Sequence, residues 1–426
     1  MTAEATSPVQ TATPEITLGQ LRARGRVRSV LGLLGPAFVA AVAYIDPGNF
    51  ATNFSAGARF GYALAWVIVL ANLMAMLVQY LSAKTGVATG RDLPELCRAH
   101  LPRPVSAGLW LQAECVAMAT DVAEFVGAAL GLNLIFHVPL LPAGLITAVA
   151  AYAVLALEQR GYRRFELAIS ALLVIVLLGF AYDQVAVGAD PRSIAAGLVP
   201  HLAGPGSQLL VVAIIGATVM PHVVYLHSAL TKSRVHCRND DERRELLRFQ
   251  RLDVLVALGA AGLINLSMLF IAASVFSQGG SPQVESLQAA HAGIGQLVGG
   301  GAALAFAVAL LASGLSSSSV GTYAGQVVMQ GFIGRRIPLF VRRGITMLPA
   351  LLVLALGLPV TVSLVISQVV LSFGIPFALV PLVLLTRRAD IMGALVNRRI
   401  TTAVAGGIAV LITTLNGYLL YVTLAG

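Results

Sequence analysis

Apolar runs recur along the chain from residue 31 to residue 424, separated by short polar segments. Each run holds roughly 20 residues, the number that an α-helix needs to cross a bilayer. The pattern therefore predicts an all-α polytopic membrane protein with eleven transmembrane helices. The predicted spans are residues 31–57, 62–83, 105–132, 141–157, 165–187, 207–231, 252–277, 297–327, 338–357, 359–386 and 401–424.

The first span contains a break at Tyr44–Asn49, in the middle of its apolar run. Pro47 has no N–H, and its ring disfavours a helical conformation of the preceding residue. Gly48 adds backbone freedom, so we expect the helix to stop near Asp46 and to restart after Asn49. At membrane depth, the carbonyls that such a break frees are tolerated only around a cavity enclosed by protein. The break thus predicts a binding site on a discontinuous helix.

A second break lies in the sixth span, at Gly216–His222, where Pro221 interrupts the helix. The broken spans are the first and the sixth, which predicts two five-helix repeats, residues 30–187 and 205–388. The helix at 401–424 then lies outside the repeats. Because five is odd, the second repeat runs inverted in the membrane. Inverted repeats that meet at two broken helices place a substrate site near the bilayer midplane.

The two breaks bring together donor atoms suited to a metal ion. The first offers the Asp46 carboxylate, the Asn49 amide oxygen and a freed carbonyl near Ala43; the second offers the Met220 thioether and a freed carbonyl near Ala217. Carboxylate and carbonyl ligands suit Mg²⁺, Ca²⁺ and Mn²⁺, whereas thioether sulfur favours softer metals. The mixed set points to Mn²⁺ or Fe²⁺, with Cd²⁺ also accepted. Two other roles stay open, packing for the methionine and helix capping for the aspartate.

The third span carries three acidic residues on one helical face, Glu114, Asp121 and Glu124. Carboxylates are costly in lipid, so we expect this face to point into the protein. His222 follows the second break, and Arg343 opens the ninth span. We interpret these residues as a proton pathway that starts when the carboxylate of the first break, Asp46, loses its proton to the binding metal. The alternative is a static buried ion-pair cluster that fixes helix packing.

Three further polar features lie at membrane depth. Gln368 is an open case, either a ligand of the ion in one conformation or a structural group. His227 is interpreted as a satisfied histidine at the membrane interface, with a place in the inner vestibule as the alternative. Serines at helix contacts usually serve packing, which is our interpretation of Ser316–Ser319.

Composition supports the membrane interpretation, and the distribution of basic residues predicts the orientation of the chain in the membrane. Only 11% of the residues are charged and 57% are hydrophobic, against about 25% charged in soluble domains. All but two of the 28 Lys and Arg residues, Arg59 and Arg192, fall on one side of the predicted spans. Positive residues mark the cytoplasmic side, which predicts a cytoplasmic N-terminus and an external C-terminus. The net charge of +9 therefore does not indicate nucleic-acid binding.

Polar segments outside the spans are expected to serve as connectors. Residues 1–29 lack an apolar signal core and are predicted to form a flexible cytoplasmic tail. The charged segment 232–251 is predicted to be a solvated connector. The three cysteines show neither a disulfide framework nor zinc-finger spacing.

The pair of motifs at Asp46–Asn49 and Met220–His222 resembles the Nramp family of divalent metal transporters. The resemblance extends over residues 30–425, taken as a single transporter domain. It implies a LeuT-like inverted-repeat fold and proton-coupled import of Mn²⁺ and Fe²⁺, and also of Cd²⁺ or Co²⁺, across a bacterial plasma membrane by alternating access. Relatives that handle Mg²⁺ or Al³⁺ lack the methionine. The implied metal ligands are Asp46, Asn49, Met220, Gln368 and the carbonyls of Ala43 and Ala217, and the implied proton route holds Asp121, Glu124, His222 and Arg343.

A Na⁺-coupled amino-acid transporter of the same fold is the main alternative, since half-helix ends also hold substrate carboxylates. An anionic Asp46 beside Met220 disfavours an anionic substrate group there. The sequence has no H-E-x-x-H, G-x-S-x-G or Walker-type motif. We therefore expect a protein that is not an enzyme, that holds no permanent cofactor, and that works as a monomer in a lipid bilayer.

Overall fold

The computed structural model describes residues 16–17, 35–159, 162–188, 191–201, 203–204, 206–232, 234–276, 286–335 and 337–425. The predicted tail, residues 1–29, lies outside these ranges except for residues 16–17. Those two form a strand, β1 (Ile16–Thr17), which pairs in parallel with β2 (Val235–His236). The helices are α1 Pro36–Ala43, α2 Pro47–Phe60, α3 Ala65–Thr89, α4 Leu93–His100, α5 Arg103–Phe136, α6 Leu140–Gln159, α7 Tyr162–Val187, α8 Pro191–Gly197, α9 Ser207–Thr218, α10 Pro221–Lys232, α11 Asp240–Phe276, α12 Leu287–Leu297, α13 Gly300–Ile333, α14 Leu339–Thr346, α15 Leu348–Ala355, α16 Val360–Thr386, α17 Ala389–Met392 and α18 Arg399–Ala425.

Eight helical stretches within the described residues are long and apolar enough to cross a membrane. The predicted multi-pass helical architecture is thereby confirmed. The count of eleven stays a prediction, because the predicted span 338–357 is divided into α14 and α15 at Met347 and the apolar stretch Leu140–Val154 is short. The stretches are Pro47–Thr89, Arg103–Phe136, Leu167–Val187, Ser207–Lys232, Asp240–Phe276, Gly300–Ile333, Val360–Thr386 and Arg399–Leu424.

The two broken helices lie at the centre of the molecule. The most apolar part of Ser207–Lys232 is 94% buried, against 28% for Arg399–Leu424. Around this centre α5 packs on α13 and α16, α11 packs on α2 and α3, and α10 packs on α3. The last helix, α18, rests mainly on α16. Polar groups at the helix breaks are therefore enclosed by protein, as their position in a membrane requires.

The first break differs in detail from the prediction. The helix ends at Ala43 rather than near Asp46, and it restarts at Pro47 rather than after Asn49. Proline suits the first position of a helix because its missing N–H has no intrahelical partner there. Asp46 caps the restarted helix, accepting a 2.8 Å hydrogen bond from the Asn49 backbone N–H. The capping role that the sequence left open for Asp46 is confirmed.

The charged segment 232–251 is mostly helical, and from Asp240 onward the predicted connector is the first part of a helix. The helix α11 begins at Asp240 and continues through the predicted span 252–277 to Phe276. Acidic residues in a first turn stabilise the positive end of the helix dipole. Arg243 lies 3.0 Å from Asp240, and Arg244 lies 3.4 Å from Asp241.

Candidate metal-binding site

Each helix break follows from one missing hydrogen-bond donor. In a helix, the N–H of residue i+4 bonds to the carbonyl of residue i. Pro47 stands four residues after Ala43, and Pro221 stands four residues after Ala217. Both carbonyls therefore lose their helical partner. The two positions that were predicted to offer freed carbonyls are thus explained by the same local chemistry.

The side chain of Asn49 joins the two breaks. Its Nδ2 donates to Asp46 Oδ1 over 2.7 Å and to the Ala217 carbonyl over 3.0 Å. All three residues are fully buried. The Oδ1 of Asn49 has no partner among the described residues. Oxygens from both breaks thus face the same point. In this structure the NH₂ group of Asn49 occupies that point.

Met220 and Ala43 are also fully buried at the breaks. Met220 directly precedes Pro221, the first residue of α10. Its backbone carbonyl accepts a 3.3 Å hydrogen bond from Val224 and so belongs to the start of that helix. Met220 therefore lies at the end of the second break, where the sequence placed it.

Gln368 on α16 reaches the same site. Its Nε2 lies 3.5 Å from Asp46 Oδ2 and donates a 3.1 Å hydrogen bond to Ser367 Oγ. The approach is possible because Gly48 has no side chain; a Cβ there would overlap the Gln368 side chain. A Cβ at Gly216 would overlap the Gln368 carbonyl. Gly48 lies inside α2, so its lack of a side chain matters rather than the backbone freedom expected for it.

The other carbonyls of the first break are satisfied by side chains from two other helices. Asn265 on α11 donates a 2.9 Å hydrogen bond to the Tyr44 carbonyl. Ser313 on α13 donates to the Ile45 carbonyl. Buried carbonyls normally find such partners. The Ala43 carbonyl differs from these two, because the residue that would donate to it in a helix is Pro47, which has no N–H.

The predicted acidic face on α5 is buried and faces basic residues. Arg343 Nη1 lies 4.0 Å from Asp121 Oδ1, and Arg343 is 1% exposed. Arg343 also donates to the Ser318 carbonyl over 2.7 Å and to the hydroxyls of Ser318 and Thr322. Within the serine run Ser316–Ser319, Ser318 therefore binds an arginine rather than serving packing alone.

Glu114 stands apart from the other two acids. It forms a 2.8 Å salt bridge with Arg342, whose Nη1 also donates to the Thr322 carbonyl over 3.2 Å. A buried pair with good geometry fits the static ion-pair interpretation. Arg342 is therefore the basic partner of Glu114.

Glu124 and His222 complete the set of buried titratable groups. Neither carboxylate oxygen of Glu124 has a hydrogen-bond partner among the described residues. Its carboxylate packs against Gly321 of α13. His222 Nδ1 lies 3.3 Å from the hydroxyl of Thr120, the residue before Asp121. The acidic face thus adjoins the second break through His222.

A further polar chain runs from the first break, and sequence reasoning missed it. The hydroxyl of Tyr44 accepts a 2.6 Å hydrogen bond from Gln79 Nε2, and Gln79 Oε1 lies 2.9 Å from His227 Nδ1. His227 is fully buried, and its place at the membrane interface stays a prediction. The polar residues Gln79 and His227 within apolar spans were the signals available.

Among the described residues, no group of three or more His, Cys, Asp or Glu side chains could hold a metal ion. Among the predicted metal ligands, Asp46 is the one such side chain. The remaining donors are amide and carbonyl oxygens and a thioether. Such a set holds a cation without assembling a large negative charge in the membrane.

Comparison with known proteins gives the family. The family model described as Natural resistance-associated macrophage protein-like (Nramp) matches residues 37–422. The divalent metal cation transporter MntH of Deinococcus radiodurans is 53% identical over 400 residues, which cover 94% of this chain and 92% of that protein.

Solved structures agree with this match. A crystal structure of a mutant manganese transporter of Eremococcus coleocola has a TM-score of 0.83 at 31% identity, covering 94% of this chain and 90% of that one. MHP1, a nucleobase-cation-symport-1 family transporter, has a TM-score of 0.58 at 14% identity, covering 83% and 78% of the two chains. The second likeness concerns the fold alone and agrees with the predicted LeuT-like class. The resemblance inferred from the two break motifs is confirmed, and the chain belongs to the Nramp family.

Proposed function

We propose that this protein imports divalent transition-metal ions by alternating access, with Mn²⁺ and Fe²⁺ as substrates and Cd²⁺ and Co²⁺ also accepted. The observation that carries the proposal is the bridge from Asn49 to Asp46 and to the Ala217 carbonyl, which joins the two breaks. The names of the relatives agree, since one is called a divalent metal cation transporter and another a manganese transporter.

The metal ligands would be Asp46, Asn49, Met220 and the carbonyls of Ala43 and Ala217. The Asn49 amide nitrogen now lies between two of these oxygens. A bound cation would replace it, and rotation of the amide would turn Oδ1 toward the ion. Gln368 would join from α16, because its Nε2 already lies 3.5 Å from Asp46 Oδ2 and its Oε1 has no partner among the described residues.

Met220 would set the selectivity. Ca²⁺ and Mg²⁺ bind shells made of oxygen, whereas a thioether favours softer metals. A fully buried sulfur at the site would therefore weaken binding of the abundant hard cations. Packing is the alternative role, and a selectivity measurement separates the two.

Protons would accompany the metal. Asp46 would lose a proton on metal binding, and the proton would leave along Asp121 and Glu124, with His222 and Arg343 beside the path. Two contacts support this route, the 4.0 Å approach of Arg343 to Asp121 and the neighbouring Thr120–His222 contact. Glu114 is the weakest member, because Arg342 holds it in a 2.8 Å salt bridge.

The remaining proposals concern the whole protein. It would lie in the bacterial plasma membrane with a cytoplasmic N-terminus and an external C-terminus, as the distribution of basic residues predicts. Its repeats would be residues 30–187 and 205–388, with 401–424 added. It would act as a monomeric transporter rather than an enzyme, with the metal ion as its substrate and no resident cofactor.

Uptake into proteoliposomes tests this function. Vesicles loaded with a metal-sensitive dye are offered Mn²⁺, Cd²⁺ or Ca²⁺ separately, with an internal pH dye alongside. We expect saturable uptake of Mn²⁺ and Cd²⁺, little uptake of Ca²⁺, and loss of uptake in Asp46→Ala. If folded protein takes up no Mn²⁺ but carries an amino acid with Na⁺, the alternative transporter class is correct.

A further inference from the structure

A groove facing the membrane lies between α3 and α18, away from the helix breaks. Its volume is about 340 Å³. On its other side α18 is held to α16, where Ser372 Oγ donates to Asn416 Oδ1 and Asn416 Nδ2 donates to the Ser372 carbonyl, each over 2.8 Å. The groove is open because α18 rests mainly on α16 rather than on α3. Its apolar lining includes Leu70, Met74 and Leu77 of α3 and Val404, Gly407 and Leu411 of α18.

One end of this groove leads to a buried lysine. Lys84 lies two turns beyond Leu77 on the same face of α3. It is only 7% exposed, and its Nζ donates one 2.7 Å hydrogen bond to Asn397 Oδ1. An ammonium group has three N–H donors, and no carboxylate of the described residues forms a salt bridge with this one. A buried charge without a counter-ion is costly, so this group calls for an anion.

Two further cations lie at the same end. Arg398 and Arg399 are exposed and directly follow Asn397. The charge of Arg398 is close enough to Lys84 for the two to repel each other. Arg399 begins α18, whose first turn has no acidic residue, although helix N-termini favour negative charge. Three positive charges thus gather at the mouth of an apolar groove, with no carboxylate of the described residues in a salt bridge to any of them.

The dimensions suit one lipid leaflet. At 1.5 Å per residue, the helical rise from Lys84 to Leu70 is about 21 Å, and that from Arg399 to Leu411 is about 18 Å. Half of a bilayer's hydrocarbon core is about 15 Å thick. Apolar cavities take apolar ligands rather than water. The groove and its basic mouth therefore match an acyl chain and an anionic headgroup.

We propose that this groove binds an anionic phospholipid, with the phosphate against Lys84, Arg398 and Arg399 and an acyl chain between α3 and α18. Basic residues at a cytoplasmic helix end are ordinary in membrane proteins. What distinguishes this place is the buried Lys84, which has no salt bridge to a carboxylate of the described residues, beside an apolar groove. Basic pockets between transmembrane helices are known to hold such headgroups.

Native mass spectrometry of the full chain in detergent tests the headgroup contact. Phosphatidylglycerol and phosphatidylcholine are added at equal concentration, and retained lipid is counted. We expect preferential retention of phosphatidylglycerol, reduced about tenfold in Arg398→Gln with Arg399→Gln. The matched control is Arg91→Gln with Arg103→Gln, which removes two exposed charges elsewhere and should retain lipid like the parent. Equal loss in both pairs, or equal retention of the two lipids by the parent, overturns the proposal.

A second variant tests the acyl chain. Gly407→Phe places a ring in the groove, and no atom lies within 4 Å of a Cβ built at Gly407. The protein should therefore fold, as size-exclusion chromatography checks, and should lose phosphatidylglycerol. Gly417→Phe, at an equally open position outside the groove, should keep the lipid. If Gly407→Phe keeps it too, or if inorganic phosphate alone displaces it from the parent, the acyl-chain site is wrong.

Discussion

At the scale of single residues, the site depends on two prolines, which have no backbone N–H to donate. Pro47 and Pro221 have no N–H, so the carbonyls of Ala43 and Ala217 lose their helical partners. The Ala217 carbonyl is bound instead by Asn49 from the other break. A break in each of two helices thus becomes one site with oxygens from both.

Met220 gives the prediction that belongs to this scale. If the Met220 sulfur binds the metal, Met220→Ala removes this soft ligand and leaves the oxygens, so discrimination against hard cations should weaken. We expect the ratio of Cd²⁺ to Ca²⁺ uptake to fall by about tenfold, equivalent to about 1.4 kcal/mol. Paired uptake assays on parent and variant proteoliposomes measure this ratio. An unchanged ratio would show that Met220 does not set selectivity and would favour a packing role for it.

At the scale of helices, two glycines allow α16 to reach the first and second breaks. A Cβ at Gly48 would overlap the side chain of Gln368, and one at Gly216 would overlap its carbonyl. Close packing of this kind leaves little room for a shift. The position of Gln368 beside Asp46 therefore depends on residues in two other helices.

This dependence can be measured with a double-mutant cycle. Gly48→Ala should destabilise the protein by roughly 1–3 kcal/mol through overpacking. Gln368→Ala removes the atoms that the new methyl group would meet, so the double variant should recover most of that loss. Thermal unfolding in detergent gives the values. Gly406→Ala, where no atom lies within 4 Å of the added Cβ, is the control. Additive losses in the double variant would contradict this account.

The acidic helix α5 gives a second prediction at this scale. If Asp121 and Glu124 carry the proton, then Asp121→Asn with Glu124→Gln should flatten the dependence of uptake on external pH and reduce internal acidification. Asp241→Asn, an exposed carboxylate outside the site with a 91% exposed side chain, should behave like the parent. Parallel metal and pH dyes follow both quantities. Unchanged pH dependence in the double variant would contradict the proton pathway and favour a static buried ion-pair cluster.

Sequence reasoning reached the elements whose cause is local. Proline chemistry is local, so both helix breaks could be predicted, and the donor roles of Asp46, Asn49 and Met220 stay predictions. The prediction placed the restart of the helix after Asn49. The helix restarts at Pro47 instead, because Asp46 caps it there. Contacts between segments far apart in the sequence could not be predicted, because the pattern of apolar and polar residues does not show which helices meet. Examples are the steric role of Gly48 and the burial of His227 against Gln79.

At the scale of the molecule, burial follows the distance from the breaks. The broken helix Ser207–Lys232 is almost wholly enclosed, while Arg399–Leu424 is largely exposed to the surroundings. An apolar exposed surface of this extent suits lipid rather than water. The Nramp family match and the LeuT-like fold agree with this arrangement.

Orientation in the membrane is the prediction at this scale. In a variant with its three cysteines replaced by serine, Arg192→Cys and Leu424→Cys should react with a membrane-impermeant thiol reagent in intact cells. Arg91→Cys should react only after permeabilisation. All three positions are exposed, so access to the reagent depends on the side of the membrane. Labelling of Arg91→Cys in intact cells would reverse the predicted orientation.

The most direct test of the central claim is a crystal structure with Mn²⁺, with its anomalous scattering used to locate the ion. The account predicts one strong peak between the two breaks, in contact with Asp46, the Asn49 side-chain oxygen, Met220 sulfur and at least one carbonyl of Ala43 or Ala217. The peak should vanish in Asp46→Ala. A peak elsewhere in the protein, with the space between the breaks empty, would contradict the claim that the two broken helices form the metal site.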